Sequence, residues 1–131
     1  MEKEMILDDF AFLVSETDEK GIIIFANDDF CKMAEYSVDE LIGKPHNIVR
    51  HKDMPKVAFK DLWETVKRNE IWSGYVKNAT KSRNYYWVYA TVFPTITSDG
   101  KKGYLSCRRK ATKEEIDEHI ELYKNLIAQE K

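Results

Sequence analysis

The segment from Gly43 to Pro55 holds the side chains of this chain that are best suited to binding chemistry. It places two histidines, an arginine and an aspartate within eight residues, between two prolines that are ten residues apart. These polar side chains are His46, Arg50, His51 and Asp53. Because proline lacks a backbone N–H and restricts the residue before it, the segment cannot form one regular helix. Polar groups on such an irregular piece are available to a ligand rather than to a core.

Metal binding and catalysis are the first chemistries to consider for these side chains. His46 and His51 are five residues apart in a proline-bounded segment, which is not the spacing of a metal site on a helix face. A single histidine could still hold a haem iron, and that alternative stays open. The chain has no phosphate-binding loop, zinc-hydrolase motif or nucleophile elbow, and no nucleophile is paired with a base at a recognisable spacing. The sequence therefore predicts a protein that is not an enzyme and has no cluster of metal ligands.

Length and composition fit a single domain with one core. The 131 residues include 21 Lys and Arg against 23 Asp and Glu, and the net charge of −2 favours neither nucleic acid nor an anionic membrane as a partner. Cys31 and Cys107 are 76 residues apart and match no zinc or redox spacing, so we expect free thiols. With no signal peptide and no apolar run of roughly 18 residues, we expect a cytoplasmic protein without membrane insertion.

Residue periodicity predicts strands towards both ends of the chain and helices between them. The strands are expected at Phe10–Ser15, Ile22–Ala26, Trp72–Thr80, Tyr85–Thr95 and Lys102–Lys110. Strands that are grouped, rather than alternating with helices, favour an α+β fold with an antiparallel sheet. The first two strands would join the last three into one five-stranded sheet.

The intervening helices are predicted from their caps and their apolar faces. They are expected at Asp28–Tyr36, in a short turn that a Ser37–Glu40 capping box opens, and from Pro55 to about Asn69. The longest of them carries five apolar side chains at helical spacing, which we interpret as core and not as a cofactor site. They are Ala58, Phe59, Leu62, Trp63 and Val66.

The tail, residues 112–131, is predicted to form a separate amphipathic helix after a domain that spans residues 1–111. Thr112 and Glu115 make another capping box. Apolar residues then recur with 4-3-4 spacing, at Ile116, Ile120, Tyr123 and Ile127. This narrow seam has two interpretations: the helix folds back on its own sheet, or it meets a partner.

Several motifs in order resemble the PAS sensor domain of the Aer-type aerotaxis receptors. The segment Gly43–Pro55 is similar to that family's G-x-P-H-N-x-V-R-H-x-D-M-P run. Trp72–Asn78 supplies its W-S-G-x-V-K-N strand, and Tyr86–Val88 its Y-W-V strand. The match extends from about Phe12 to Arg109. The resemblance implies a PAS fold, a C-terminal helix that carries the signal, and a non-covalently bound FAD that reports redox state to a chemotaxis-type signalling partner.

The resemblance also implies which residues retain the flavin. The family's positions correspond here to Arg50, His51, Asp53, Trp72 and Asn78, with His46 as a further candidate. The chemistry of the side chains agrees: an asparagine amide offers a donor and an acceptor to the polar edge of a flavin ring, and an arginine fork suits phosphate oxygens. Asp53 could accept from ribose hydroxyls or orient Arg50. No cysteine lies in Asn47–Arg50, so a photochemical cysteine–flavin adduct is not expected.

Two alternatives to the flavin sensor remain at this stage. One is a ligand-free PAS module that dimerises or docks a partner protein through its sheet and its tail. The other is a PAS pocket for haem or for a small metabolite. A homodimer or a downstream signalling domain is the expected partner in the first hypothesis, and the colour of the purified protein separates the three.

Overall fold

One antiparallel sheet of five strands organises residues 2–130, which the computed structural model describes. The strands are β1 (Phe12–Asp18), β2 (Ile23–Ala26), β3 (Trp72–Ala79), β4 (Tyr85–Ile96) and β5 (Lys102–Lys110). Their spatial order is β2-β1-β5-β4-β3, so the first hairpin joins the last three strands through the pairing of β1 with β5. The predicted α+β class and five-stranded antiparallel sheet are confirmed.

The helical elements are α1 (Asp28–Ala34), α2 (Val38–Leu41), a 3-10 helix (His46–Val49), α3 (Lys56–Lys67) and α4 (Lys113–Gln129). Helices α1, α2 and α4 begin directly after side-chain caps, whereas the 3-10 helix and α3 each follow a proline and have no such cap. The capping boxes that open α2 and α4 are both formed. No helix within residues 2–130 combines the length and the apolar character needed to cross a bilayer.

Several predicted boundaries differ from those of the structure by a few residues, and two of these differences have a clear physical reason. The first strand continues to Asp18 because its whole length pairs with β5, whereas we expected it to end at Ser15. The first helix ends at Ala34, short of Tyr36, because Glu35 adopts a left-handed conformation with φ of 67°.

The two faces of the sheet are covered by different helices. Side chains alternate along each strand, so β5 directs Tyr104, Ser106 and Arg108 to one face and Arg109 to the other. The face of Tyr104 is the inner one, because α1 and α3 cover it: the guanidinium of Arg108 lies 4.4 Å from the ring centroid of Phe30. Helix α4 packs on the opposite, outer face of the sheet.

The tail helix folds back on its own sheet in this structure. Tyr123 is buried, its ring centroid lies 6.0 Å from that of Trp87, and its hydroxyl donates to the carbonyl of Tyr75 at 2.5 Å. Ile116 packs against the core, while Ile120 remains 46% exposed. The first of the two interpretations of the seam is thus the arrangement found, and contact of Ile120 with a partner stays a prediction.

Candidate ligand-binding site

A cavity of about 320 Å³ lies between the inner face of the sheet and the helical segment that runs from the 3-10 helix to α3. Its walls are mixed: apolar side chains of α3, β3 and β4 face polar groups of β1, β5 and the 3-10 helix. The lining residues are Thr17, Lys20, Gly21, Pro45, His46, Asn47, Val49, Arg50, Phe59, Leu62, Trp63, Val76, Asn78, Ala90, Val92, Tyr104, Ser106 and Arg108. Apolar walls with a few convergent polar groups are typical of a small-molecule site.

The lining is electrostatically one-sided. Among residues 2–130 it includes three cationic side chains, Lys20, Arg50 and Arg108, and no carboxylate. Lys20 and Arg50 are exposed, whereas only 2% of Arg108 is exposed. Arg50 lies over the ring of Phe59, with its guanidinium carbon 3.9 Å from the ring centroid, which holds the charge beside α3. The cavity therefore suits a ligand that has an apolar body and acceptor or anionic groups.

A polar cluster stands at the buried end of this lining. Arg108 donates from Nη2 to the hydroxyl of Ser15 at 2.9 Å and from Nη1 to that of Ser106 at 2.7 Å. The Ser15 hydroxyl also lies 3.0 Å from Nε2 of His46, so β1, β5 and the 3-10 helix meet in one hydrogen-bonded group. The His46 ring stacks on Phe30 with 5.8 Å between centroids, and this contact fixes the plane of the imidazole.

Burial sets the charges of the cluster. It lowers the pKa of His46 to about 3, and the neighbouring positive charge of Arg108 acts in the same direction. Burial also lowers the pKa of Arg108, to about 10. At neutral pH the imidazole is therefore neutral and the guanidinium is charged.

Asn78 lies in the cavity wall, near the C-terminal end of β3. Its side chain is 4% exposed, and its amide makes one long hydrogen bond, 3.5 Å, to the hydroxyl of Tyr86. An antiparallel bridge joins the backbone of Asn78 to that of Arg50, so the strand and the segment after the 3-10 helix are held side by side. Three of the six predicted site residues, His46, Arg50 and Asn78, are thus brought together on one cavity.

The structure places the other three predicted site residues outside the lining. His51 is buried, with Nε2 2.8 Å from a carboxylate oxygen of Glu2, and its Nδ1 accepts from the backbone N–H of Asp53. The Asp53 carboxylate accepts from Lys77 Nζ at 2.8 Å, which lowers the pKa of that carboxyl. These bonds brace the loop that carries Arg50 against β3. A direct contact of His51 or Asp53 with a ligand stays a prediction from the resemblance.

Trp72 is likewise not among the residues that line the cavity. Its indole N–H donates to a carboxylate oxygen of Asp61 at 2.8 Å, and its side chain is 7% exposed. A Cβ added to Gly74 would lie 2.6 Å from the same indole, so the ring covers that glycine. Trp72 therefore ties the start of β3 to α3, and its predicted ligand contact likewise stays a prediction.

Sequence reasoning missed several lining residues. The apolar face of α3 was interpreted as core, and that holds for Val66, which is fully buried. Phe59, Leu62 and Trp63 are partly buried and pack against the core as well, but they also form a wall of the cavity, which the sequence did not predict. Arg108 was missed as well, although a signal was present: it follows Tyr104 and Ser106 at alternate positions, which places a charge on the buried face of β5.

Comparison with known proteins settles the family of this fold. A family model described as PAS fold matches residues 23–108. The chain belongs to the PAS family. It is 48% identical over 122 residues to the aerotaxis receptor of Escherichia coli (strain K12), an alignment that covers 93% of this chain and 24% of that protein. It is 31% identical to the biofilm dispersion protein BdlA of Pseudomonas aeruginosa, over 66% of this chain and 21% of that protein. The PAS chain thus spans about a quarter of the length of the aerotaxis receptor.

Solved structures show the same PAS fold at low sequence identity. A PAS domain of a protein from Colwellia psychrerythraea superposes with a TM-score of 0.68 at 22% identity, covering 80% of this chain and 91% of that one. A structure reported as "Flavin Analogue Sheds Light on Light-Oxygen-Voltage Domain Mechanism" gives 0.72 at 15% identity, with coverage of 86% and 87%. The predicted resemblance to a PAS sensor domain is confirmed.

Proposed function

We propose that this PAS domain is a redox sensor that holds FAD non-covalently and passes the redox signal to a chemotaxis-type signalling partner. The observation that carries the proposal is the cavity, with apolar walls, a neutral histidine and a cationic lining without a carboxylate among the described residues. The 48% identity to an aerotaxis receptor supports the signalling context.

The residues present fit a flavin. A flat apolar ring with a polar edge suits the apolar wall of α3 and β4 opposite polar groups that lack partners. Two buried polar atoms of lining residues, Thr17 Oγ1 and Arg108 Nε, have no hydrogen-bond partner within residues 2–130. Unsatisfied buried polar atoms are costly, so a bound molecule that satisfies them is favoured. Asn78 offers an amide to the same edge.

The size of the cavity favours a ring inside and phosphates outside. Its volume of about 320 Å³ lies at the small end of ligand pockets, which span roughly 300–1,000 Å³. It accommodates a ring system but not a whole dinucleotide, so the phosphates and adenosine would lie across the mouth. The exposed cations Lys20 and Arg50 line that side, which is why FAD is proposed rather than a ring alone.

When bound, the flavin would supply a charge at the buried end of the cavity that depends on its redox state. The chain's response would travel through β3, whose alternate residues face opposite sides: Val76 and Asn78 line the cavity, whereas Tyr75 donates its hydroxyl hydrogen bond to Glu115 of α4. That bond raises the pKa of Tyr75 to about 12 and lowers that of Glu115 to about 2, so it persists throughout the physiological range. A small displacement of β3 would therefore change contacts on both faces of the sheet, in the cavity and at α4.

The energy required for such a response is modest. A hundredfold shift between two arrangements of α4 needs a differential interaction of about 2.7 kcal/mol. Hydrogen bonds to charged groups contribute about 1.5–3 kcal/mol each, so one or two altered bonds at the buried end are sufficient. The partner would be a second copy of the chain or a downstream signalling segment.

Haem and ligand-free function fit the lining less well. A haem needs an imidazole nitrogen directed at iron, but Nε2 of His46 lies within hydrogen-bond distance of Ser15 and Arg108, and Nε2 of His51 contacts Glu2. In a ligand-free module, the charged guanidinium of Arg108 would be buried beside the cavity without a group to compensate its charge, which is energetically unfavourable.

The test is the identity of the molecule that the purified protein releases. Heat denaturation should liberate FAD, identified by mass spectrometry against FMN and riboflavin standards. Release of FMN alone, or a haem spectrum before denaturation, would contradict the proposal. Reconstitution of colourless protein with FAD and with FMN provides the control for loss during purification, and FAD should bind more tightly.

A further inference from the structure

The geometry points to Arg108 as the residue that selects the ligand. Its positive charge lies at the buried end of the cavity, and a bound ligand must compensate that charge with an electron-rich edge that carries hydrogen-bond acceptors. This inference rests on the proposed function only for the identity of the ligand, whose edge would be the pyrimidine edge of a flavin ring. The position of the charge itself rests on the structure alone. No resemblance motif includes Arg108.

The partners of the Arg108 guanidinium in the described part of the chain are all neutral. Arg108 is 2% exposed, yet its hydrogen bonds go to two neutral hydroxyls, Ser15 and Ser106, and its Nη1 lies 3.3 Å from the neutral imidazole of His46. No carboxylate within residues 2–130 forms an ion pair with it. Buried charges in proteins are normally paired, because removing an ion from water costs several kcal/mol.

The neighbours of Arg108 position its guanidinium but leave one donor free within residues 2–130. The hydroxyls of Ser15 and Ser106 and the ring of Phe30, 4.4 Å from the guanidinium carbon, hold the fork in place without neutralising it. The Nε of Arg108 has no partner among the described residues, and neither has the hydroxyl of Thr17, which lines the same cavity. A donor and a hydroxyl are therefore left for a molecule in the cavity.

Arg109, the next residue in sequence, differs from Arg108 in its surroundings. Arg109 lies on the outer face, is exposed, stacks on Tyr89 at 4.4 Å and donates to the carbonyl of Lys110. Its charge is solvated, so it needs no counter-group. The two arginines thus have the same chemistry and differ in the face of the sheet they occupy, which makes Arg109 a matched control.

A carbonyl- or anion-bearing ring edge satisfies these requirements. A guanidinium presents donors in a fixed fork that matches adjacent acceptors, and hydrogen bonds to a charged donor are roughly twice as strong as neutral ones. His46, beside the guanidinium of Arg108, is neutral and therefore does not compensate its positive charge. A cationic ligand, or a purely apolar one, would leave the guanidinium uncompensated and is selected against.

The experiment measures ligand affinity and the stability of the emptied protein in parallel. Arg108→Met removes the charge at similar length, Arg108→Lys keeps the charge without the fork, and Arg109→Met is the control. Each is titrated with FAD and with lumiflavin, a flavin ring without the phosphate-bearing chain. Melting temperatures are measured on protein freed of ligand.

For Arg108→Met we expect the dissociation constants of both probes to rise by at least about tenfold, equivalent to about 1.4 kcal/mol. Arg108→Lys should lose less, and Arg109→Met should stay within about twofold of the parent. Emptied Arg108→Met should melt at a higher temperature than the emptied parent, because an uncompensated buried charge has been removed. A residue that served only the fold would show the opposite shift.

Two results would overturn the assignment. One is unchanged binding of both probes by Arg108→Met; the other is a lower melting temperature of the emptied Arg108→Met, which would make the guanidinium a structural element. If the parent protein binds neither probe, the proposed flavin function fails. The melting comparison then decides by itself whether Arg108 is an uncompensated cation.

Discussion

Between pH 7 and pH 5, acid should destabilise this domain mainly through His46. An unperturbed histidine titrates near pH 6.5, whereas burial and Arg108 lower the pKa of His46 to about 3 in the folded protein. Between these two values the unfolded chain binds a proton that the folded chain does not. Stability is therefore fully present above about pH 6.5 and is lost as the pH falls towards 3.

The magnitude follows from the size of the pKa shift. Each pKa unit corresponds to about 1.4 kcal/mol, and pH 5 lies about 1.5 units below the unfolded value. The free energy of unfolding should therefore be about 2 kcal/mol lower at pH 5 than at pH 7. Carboxyl groups whose pKa values are lowered by partners, such as Asp53 and Glu115, contribute stability that is lost as the pH falls from the range of an ordinary carboxyl group towards their lower folded pKa values, mostly below about pH 5.

The assay is urea unfolding of ligand-free protein at pH 7, 6 and 5, for the parent chain and for His46→Gln. Glutamine keeps a polar group near Ser15 but does not titrate, so the difference in unfolding free energy between the two proteins isolates His46. That difference should change by about 2 kcal/mol between pH 7 and pH 5, in favour of the variant at low pH. A difference that is independent of pH would refute the assignment of a partly buried, neutral imidazole.

Four further substitutions test the cavity, the sheet and the tail. Asn78→Ala should weaken flavin retention or shift its potential while the unfolding midpoint in urea changes little; equal retention and potential would remove Asn78 from the site. Gly103→Ala should destabilise the fold by about 1–3 kcal/mol, because a Cβ there would lie 2.5 Å from the carbonyl oxygen of Thr17; an unchanged midpoint would show that β1 and β5 separate easily. Ile120→Asp should leave flavin content intact and reduce self-association in light scattering, whereas Tyr123→Asp should undock α4; loss of flavin in Ile120→Asp would contradict this assignment.

The sheet and the caps were predictable because their signals are local. The β-branched and aromatic runs of β2 to β5 and the capping boxes at Ser37 and Thr112 each depend on a few neighbouring residues. Helical periodicity on α3 identified which face points inward. It could not tell whether that face meets other side chains or a cavity, because the distance to the sheet is a tertiary property.

The buried end of the site was not predictable from local pattern. Arg108 and Ser15 are 93 positions apart in sequence and meet only because β1 pairs with β5. Likewise, the resemblance named His51 and Asp53 by position in a motif, whereas the structure gives them Glu2 and Lys77 as partners. A motif records which residues occur together, not which of them touches the ligand.

The alternation of β3 has a consequence for how proteins with this architecture can diverge. Val76 and Asn78 line the cavity from one face of the strand, whereas Tyr75 binds α4 from the other face. Substitutions on the cavity face of β3 can therefore change which ligand binds, while the residues that attach α4 on the other face stay the same. A single-residue insertion or deletion within Trp72–Ala79 would exchange the two sets at once. Sensor domains built this way should vary freely in residue type along this strand but keep its length fixed.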